Sequence, residues 1–572
     1  MRPYRRNHVA RLRVVLDSRD ARNAKHKVKR IGAEDQESNR YFWSDPLGCE
    51  TDSEMRESCH ERSSPYFRIY HRPPAQDDAK QTRLSERRLM QPTLRLLPDE
   101  LVERIVAEAR DILCQLGVEI HNEAVLGTLA DHGATVDREG CHAHLTQGII
   151  DKALATVPRC FQLYDVLGNQ THDFAGGNVY FTPGSAAVNI LDNATGEMRA
   201  PTTADYIRYV QVTSGLKHIA AQSTAFIPAD VNARISDSYR LYLSLLHGEK
   251  PVVTGAFSVE GFEIMKDLQL AVRGDEAALR AKPLTIFSCC PTAPIKWSDV
   301  TSQNLVDCAR WGIPAELISM PLSGFIAPVT LVGSLVQQTA ENLSGVVISQ
   351  LTHPGHPLLY GGSPAIFDVR YETTPMGAVE TMMLNCANSE IGKHLGMPTQ
   401  GYIAISDAKL LDAQAGLETG MGATLAALAG INSMSGPGML DFESCQSLEK
   451  LVVDNEICGM TYRLLRGIEP REDFPAMALF QELLSERNLL IADHTRRHLR
   501  EEISFPGPVI DRSNRTRWQK DGKPTLRERA AKEVARLIGQ AKPSRLPEAS
   551  RVELTRLMES EARRGGMDAL PV

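Results

Sequence analysis

The sequence predicts a (β/α)8 TIM-type barrel with an N-terminal helical cap and a C-terminal helical extension. Three observations carry this. Short apolar runs alternate with helical stretches between residues 178 and 436, and such alternation means parallel strands joined by crossover helices. The eight runs span roughly the 250 residues that a barrel of this kind needs. No Gly-rich dinucleotide fingerprint follows the first run, which weighs against the alternative of a doubly wound open sheet.

Taken in order, residues 1–89 stand apart. They carry 20 Lys and Arg against 14 Asp and Glu, whereas the rest of the chain is net acidic. They show no sustained period and no apolar stretch of the signal-peptide kind. The expectation is a disordered extension, or a start codon placed too early. Periodic sequence begins at Met90. Leu101, Val102, Ile105, Val106, Ile112, Leu113 and Leu116 form one helical stripe, started by Pro98 and Asp99 and stopped by Gly117. Further helices are expected over 122–130 and 146–157, with a short hairpin around 137–141. Residues 90–175 therefore read as a mostly helical cap.

Residues 176–504 read as the barrel. Its strand candidates are 178–191, 218–227, 251–257, 284–291, 314–320, 357–363, 398–405 and 431–436. Helical stretches fill the gaps at 203–214, 236–247, 259–272, 298–311, 330–351, 377–395 and 414–429. The tail, 505–572, reads as a strap across the barrel that ends in amphipathic helices, one of them over 525–538.

Composition narrows the function. The 572 residues are 42% hydrophobic and 24% charged, with a formal net charge of −7. An apolar run of about 18 residues is missing, so no membrane span is expected, and the acidic balance speaks against nucleic acid as a partner. Eleven cysteines without a CxxC pair suit free thiols in a reducing cytoplasm. GxSxG, GxxxxGK[ST] and HExxH are all absent; His494 and His498 have helical spacing, but Thr495 stands where a metalloprotease needs Glu. No metal is expected. Lys296 and Lys409 follow strands and are the candidates for a Schiff base.

Chemistry in such barrels sits where the strands end. Those positions are rich in Gly, Pro, Ser and rings but poor in titratable groups. Phe181, Phe226, Phe257, Tyr360 and Tyr402 all fall there, with Gly361 beside Tyr360. Either the rings cap the barrel core or they form an aromatic box for a quaternary ammonium. Arg370 is the candidate cation for a substrate carboxylate; its other reading is a salt bridge to Asp368 or Glu372. Asp407 either faces an ammonium or caps the following helix, and Glu443 and Asp441, after the eighth strand, are read in the same way.

The segments TPGSAAVNILD (182–192), GGSPAIFDVRYETTPMGAVE (361–380), SDAKLLDAQAGLETGMGATLAALAGIN (406–432) and GPGMLDFESCQSLEKLVVDNEI (436–457) resemble the corrinoid-dependent trimethylamine methyltransferase family. So does the tail pattern DR…W…G…RA (511–530). The resemblance extends from about Leu96 to about residue 560. It implies a barrel that moves a methyl group from an amine to the cobalt of a corrinoid held by a separate small protein. The founding branch carries pyrrolysine in the barrel. This sequence has only standard residues and so looks like the non-pyrrolysine branch, which includes enzymes for glycine betaine and related quaternary amines; this weighs against trimethylamine as substrate.

The implied chemistry accounts for the few titratable groups. A quaternary ammonium departs as a neutral tertiary amine, and the Co(I) nucleophile belongs to the corrinoid protein. The barrel has to bind the cation, aim one methyl group and exclude water. A methylated amine and a cognate corrinoid protein are the expected partners, a homo-oligomer the expected assembly, and no cofactor is expected to be bound by the chain itself. Two rival readings are a Schiff-base barrel lyase and a barrel that binds betaines or a corrinoid protein without catalysis.

Overall fold

The computed structural model describes residues 91–571; the basic segment 1–89 lies outside the described residues. Eight strands build the core: β1 (Tyr180–Thr182), β2 (Gln222–Ser223), β3 (Val252–Thr254), β4 (Thr285–Cys289), β5 (Ala315–Ser319), β6 (Leu358–Gly362), β7 (Gln400–Tyr402) and β8 (Ser433–Ser435). Strands β2 to β6 pair in parallel in chain order, and so do β7, β8 and β1. Parallel bridges Tyr360–Thr399 and Ala187–Phe226 close the two remaining seams. The result is a closed eight-stranded parallel barrel, as expected from the alternation.

The helices between strands fall close to the expected ranges: Thr203–Gly215, Ser236–His247, Val259–Arg273, Asp299–Trp311, Leu331–Thr352, Val379–His394 and Ala413–Leu428. Leu448–Leu465 follows β8. Their starts are set locally. Thr202, Ser258, Ser298, Asp412 and Ser447 each accept a hydrogen bond from a first-turn amide of the helix they precede, satisfying a donor that the helix itself leaves unpaired. The run at 178–191 is a correction: it is two strands, since Asn189–Leu191 leaves the barrel wall to pair with Met198–Arg199 and Cys445–Gln446.

One end of the barrel is sealed. The antiparallel hairpin of Gln162–Tyr164 and Gln170–Asp173 brings Phe161, Leu163 and Phe174 against Val253, Ile286 and Leu359 of the barrel strands. The cap helix Asp99–Gln115 lies along Leu331–Thr352, and the cap strand Val118–Ile120 pairs in parallel with Lys296–Trp297. The cap therefore braces the side of the barrel. The tail differs from the expected strap. Helix Leu526–Gln540 packs on Leu448–Leu465 and Thr203–Gly215, and Glu548–Arg564 packs on Ser236–His247 and Val259–Arg273. It runs along the outer helices because Ala530, Val534, Leu537, Leu554 and Met558 put a buried stripe against them.

Candidate active site

Strand parity decides what faces the lumen. On β4 and β5, Ser288 and Glu316 are register partners and point inward: the Ser288 hydroxyl donates to Glu316 Oε1 at 2.7 Å. Their neighbours Phe287 and Leu317 point outward, Phe287 onto Phe262 and Leu317 towards Gly345 of the surrounding helices. On β7 and β8, Tyr402 and Ser435 are paired. The Tyr402 hydroxyl lies 3.0 Å from Ser185 Oγ, in the loop after β1. Glu443 accepts from the Ser185 backbone amide. Glu316, Tyr402, Glu443, Ser185, Ser288 and Cys290 thus gather at the open end of the lumen, opposite the sealed end.

This group is acidic and buried. Burial raises the Glu316 carboxyl to about 7, its bond from Ser288 opposing the shift. Burial raises Glu443 to about 8, with the Ser185 amide opposing and the Glu316 charge adding to the rise. Burial, then the Glu443 and Glu316 charges, push Tyr402 well above its usual range. The Cys290 thiol also rises, through burial first and then the neighbouring Cys289, Glu316 and Glu443. No cationic side chain is among the groups that act on either carboxyl. Glu316 Oε2 is buried without a hydrogen-bond partner, and so is Ser435 Oγ. Unpaired acids and an orphaned oxygen buried together would be stabilised by a positive charge.

The backbone that presents Glu443 is unusual. Asp441, Phe442 and Glu443 are consecutive left-handed residues, at φ 50°, 55° and 69°, a conformation costing roughly 1–2 kcal/mol per residue without glycine. Lys409 holds the turn. Its Nζ lies 3.1 Å from Asp441 Oδ1 and 3.7 Å from the Phe442 ring centroid, and it donates to the Asp407 carbonyl at 2.7 Å. Lys296 pairs with Glu119 of the cap at 2.9 Å. Both lysines are engaged in ion pairs, which does not favour a Schiff base.

Of the residues singled out in the sequence, Tyr402 and Glu443 are brought together, whereas Gly361 faces Gln400. A Cβ on Gly361 would lie 2.3 Å from Gln400 Oε1, so the wall there admits only hydrogen. Phe181, Phe226 and Tyr360 lie elsewhere. Phe181 packs edge-on against Tyr462, Phe226 against Tyr206 and Tyr209, and Tyr360 lies against Gly392 of the helix after β6. All three are fully buried between wall and helices because their parity sends them outward. Phe257 is half-exposed after β3, with the Arg240 guanidinium 4.7 Å from its centroid.

Arg370 and Asp407 belong to a neighbouring outer cleft of about 730 Å³, which Lys409, Glu418 and Phe442 also line. Arg370 is 76% exposed and pairs with Asp368, one of the two alternatives the sequence left open. Asp407 neither meets the lumen acids nor caps the next helix, whose cap is Asp412. It accepts from the Met376 and Gly377 amides, both at 2.8 Å, and burial raises it to about 6. Glu316, the other buried carboxyl of the group, is not among the residues expected from the sequence. Its signal is a charge inside the apolar run 314–320, away from the strand ends. Among the described residues, no group of three or more His, Cys, Asp or Glu is placed to hold a metal ion.

A family model described as trimethylamine methyltransferase (MTTB) matches residues 70–566. Trimethylamine methyltransferase MttB of Methanosarcina thermophila is 30% identical over 468 residues, covering 79% of this chain and 94% of that protein. MttB of Desulfitobacterium hafniense (strain DSM 10664 / DCB-2) is 28% identical over 461 residues, 81% and 92% of the two chains. A glycine betaine methyltransferase of Desulfitobacterium hafniense (strain Y51) is 26% identical over 459 residues, 80% and 95%. Among solved structures, monomethylamine methyltransferase (MtmB) of Methanosarcina barkeri aligns over 83% of this chain and 89% of its own, at 12% identity and a TM-score of 0.46. With the family model spanning the cap, the barrel and most of the tail, this chain belongs to the trimethylamine methyltransferase family.

Proposed function

We propose that this methyltransferase takes a methyl group from a quaternary or tertiary amine at the open end of its barrel and delivers it to the corrinoid of a separate protein. The observation that carries the reading is the enclosed pair Glu316 and Glu443, which lies beside the Tyr402 ring with no cationic side chain acting on it. An alkylammonium supplies the missing positive charge, and a ring beside it adds cation–π attraction.

The corrinoid supplies a Co(I) nucleophile that accepts the methyl group. The chain has to leave it room and a suitable surface. The loops after the strands expose Phe257, Phe325, Val369, Tyr371 and Leu410 around the open end, an apolar rim that fits the faces of a large macrocycle or the protein carrying it. The opposite end is closed by the hairpin, so access is from the end where the acids lie. Within the lumen, Glu316 and Glu443 fix the ammonium by charge, and Tyr402, tied to Ser185, limits how it can turn. Orientation and water exclusion are then the main contributions to rate. The C–N electron pair stays on nitrogen, so a quaternary ammonium leaves as a neutral amine and needs no proton. A tertiary amine needs its nitrogen protonated, and the Glu443 carboxyl, raised to about 8, is able to hold that proton.

Arg370 lies on the outer cleft paired with Asp368 and does not reach the lumen acids, so it is not the clamp for a substrate carboxylate in this reading. The nine described cysteines are free thiols, which fits the expected reducing cytoplasm; no helix of the described residues is long and apolar enough to cross a membrane. The deciding experiment is methylation of cob(I)alamin, followed by its absorption spectrum, with a panel of quaternary and tertiary amines. Loss of the Co(I) spectrum with at least one amine is expected. Binding without transfer, with the reduced corrinoid protein present, supports the non-catalytic reading instead, and a borohydride-trapped adduct on Lys409 or Lys296 supports the lyase.

A further inference from the structure

His494 and His498 are four positions apart on the helix Asp493–Glu502 and so share one face of it. Their ring centroids are 5.0 Å apart, with the planes at 60°. The Nε2 atoms of both are buried without a hydrogen-bond partner. Polar atoms shut away from water normally find a partner, and two orphans one helical turn apart point to a single ligand that serves both. The rings help to line a pocket of about 470 Å³ with Glu469, Arg471, Asp473 and Glu502. A third ligand is close by. Glu472 Oε2 lies 3.9 Å from His498 Nε2, and the Glu472 side chain is 58% exposed. It pairs with the Arg497 guanidinium and has to turn from it towards the rings to complete a set of three.

The chemistry fits a divalent transition ion. Imidazole and carboxylate suit zinc and its neighbours, and zinc sits about 2.0–2.1 Å from a ligating ring nitrogen. An ion bound to both Nε2 atoms would stand about 3.2 Å from each ring centre, and a tetrahedral angle between the two bonds sets the centres about 5 Å apart, which matches the observed separation. The charge of the pocket suits a cation as well. Three lining carboxyls, Glu469, Asp473 and Glu502, stand against one guanidinium, Arg471, which is itself paired with Glu469 and Glu502. Thr495 follows His494 where a hydrolytic zinc helix carries its Glu base, so the ion's role is to hold rather than to react. Met477–Glu486 and Asp493–Glu502 need holding. They are ten residues each and neither buries a residue, and helices of this length are marginal in water unless something packs or clips them. An ion on His494, His498 and Glu472 clips the second helix to the chain that precedes the first.

We propose that His494 and His498, with Glu472 as the third ligand, bind one zinc-like divalent ion that staples residues 469–502 into shape. The site shares no residue with the lumen group, and the proposal does not depend on the proposed reaction. The test uses the full-length chain, stripped with a chelator and dialysed to equilibrium against zinc chloride in excess magnesium. One equivalent of zinc per chain is expected, with affinity lower by about tenfold or more in His494→Ala and in His498→Ala; an unchanged melting transition of the barrel confirms that each variant folds. A second measurement needs no variant. Zinc at about ten times its dissociation constant should slow tryptic cleavage within 467–505 of the wild type about tenfold, and magnesium should not. No zinc retained by the wild type overturns the proposal. So does zinc bound equally well by both folded variants, which places the ion elsewhere in the chain, and so does cleavage that runs at the same rate with and without zinc.

Discussion

Tetramethylammonium carries no titratable proton, so any pH dependence of its binding belongs to the protein. Glu316 and Glu443 attract a cation only when ionised, and burial holds them at about 7 and about 8. Between about pH 6 and about pH 8.5, the ionised fraction of a group at 7 rises roughly tenfold and that of a group at 8 roughly eightyfold, or about 1.4 and about 2.6 kcal/mol of binding. Affinity should therefore climb by one to nearly two orders of magnitude over this range, with a midpoint that belongs to the coupled pair. Stability moves the opposite way. Both carboxyls are raised in the folded state, so their contribution is complete below the unfolded value of about 4.3 and is lost as pH rises through 7 and 8. The free protein should melt lower at alkaline pH, and the ligand-induced rise in Tm should grow. Isothermal titration at constant ionic strength measures the first effect and calorimetry the second. Glu443→Gln should flatten the affinity curve to about tenfold, and Glu316→Gln should shift its midpoint towards acid because the repulsion acting on Glu443 is gone. An affinity constant across the range, or stronger binding at acid pH, refutes the cation receptor.

Three further outcomes separate lumen from wall. Tyr402→Phe removes the bond to Ser185 and should cost about 0.5–1.5 kcal/mol by denaturant titration, with quaternary amines still bound. Tyr360→Ala should destabilise by about 3–5 kcal/mol through the cavity it leaves, yet leave amine affinity in the folded fraction unchanged; selective loss of binding returns this ring to the site. Arg370→Ala should leave the affinities for choline and glycine betaine both unaltered, and a selective loss of betaine binding would show that the outer cleft takes the carboxylate.

The order of elements was legible because it is written locally. Each crossover helix announces itself by a cap such as Ser258, Ser298 or Asp412 and by its own spacing, and each strand by a short apolar run. Eight repeats of that pattern in a parallel sheet leave a closed barrel as the natural arrangement. The position of Glu443 was legible for the same reason: a residue shortly after the eighth strand lies beyond the C-terminal ends of the strands whatever the details. The shape of the tail was not legible, since an amphipathic stripe shows that a helix packs but not on what.

What the sequence alone determined is the barrel and its reaction family. What only the tertiary structure decided is which side chains meet there. Parallel barrel strands are apolar on both faces, so the alternation that separates inside from outside in a half-exposed sheet is missing, and one step of register exchanges lumen for wall. Tyr360 and Tyr402 look alike in sequence. Closure of the barrel sends Tyr360 onto the surrounding helices and Tyr402 to Ser185, and sets Glu316 and Glu443, 127 positions apart in the chain, close enough for their charges to repel.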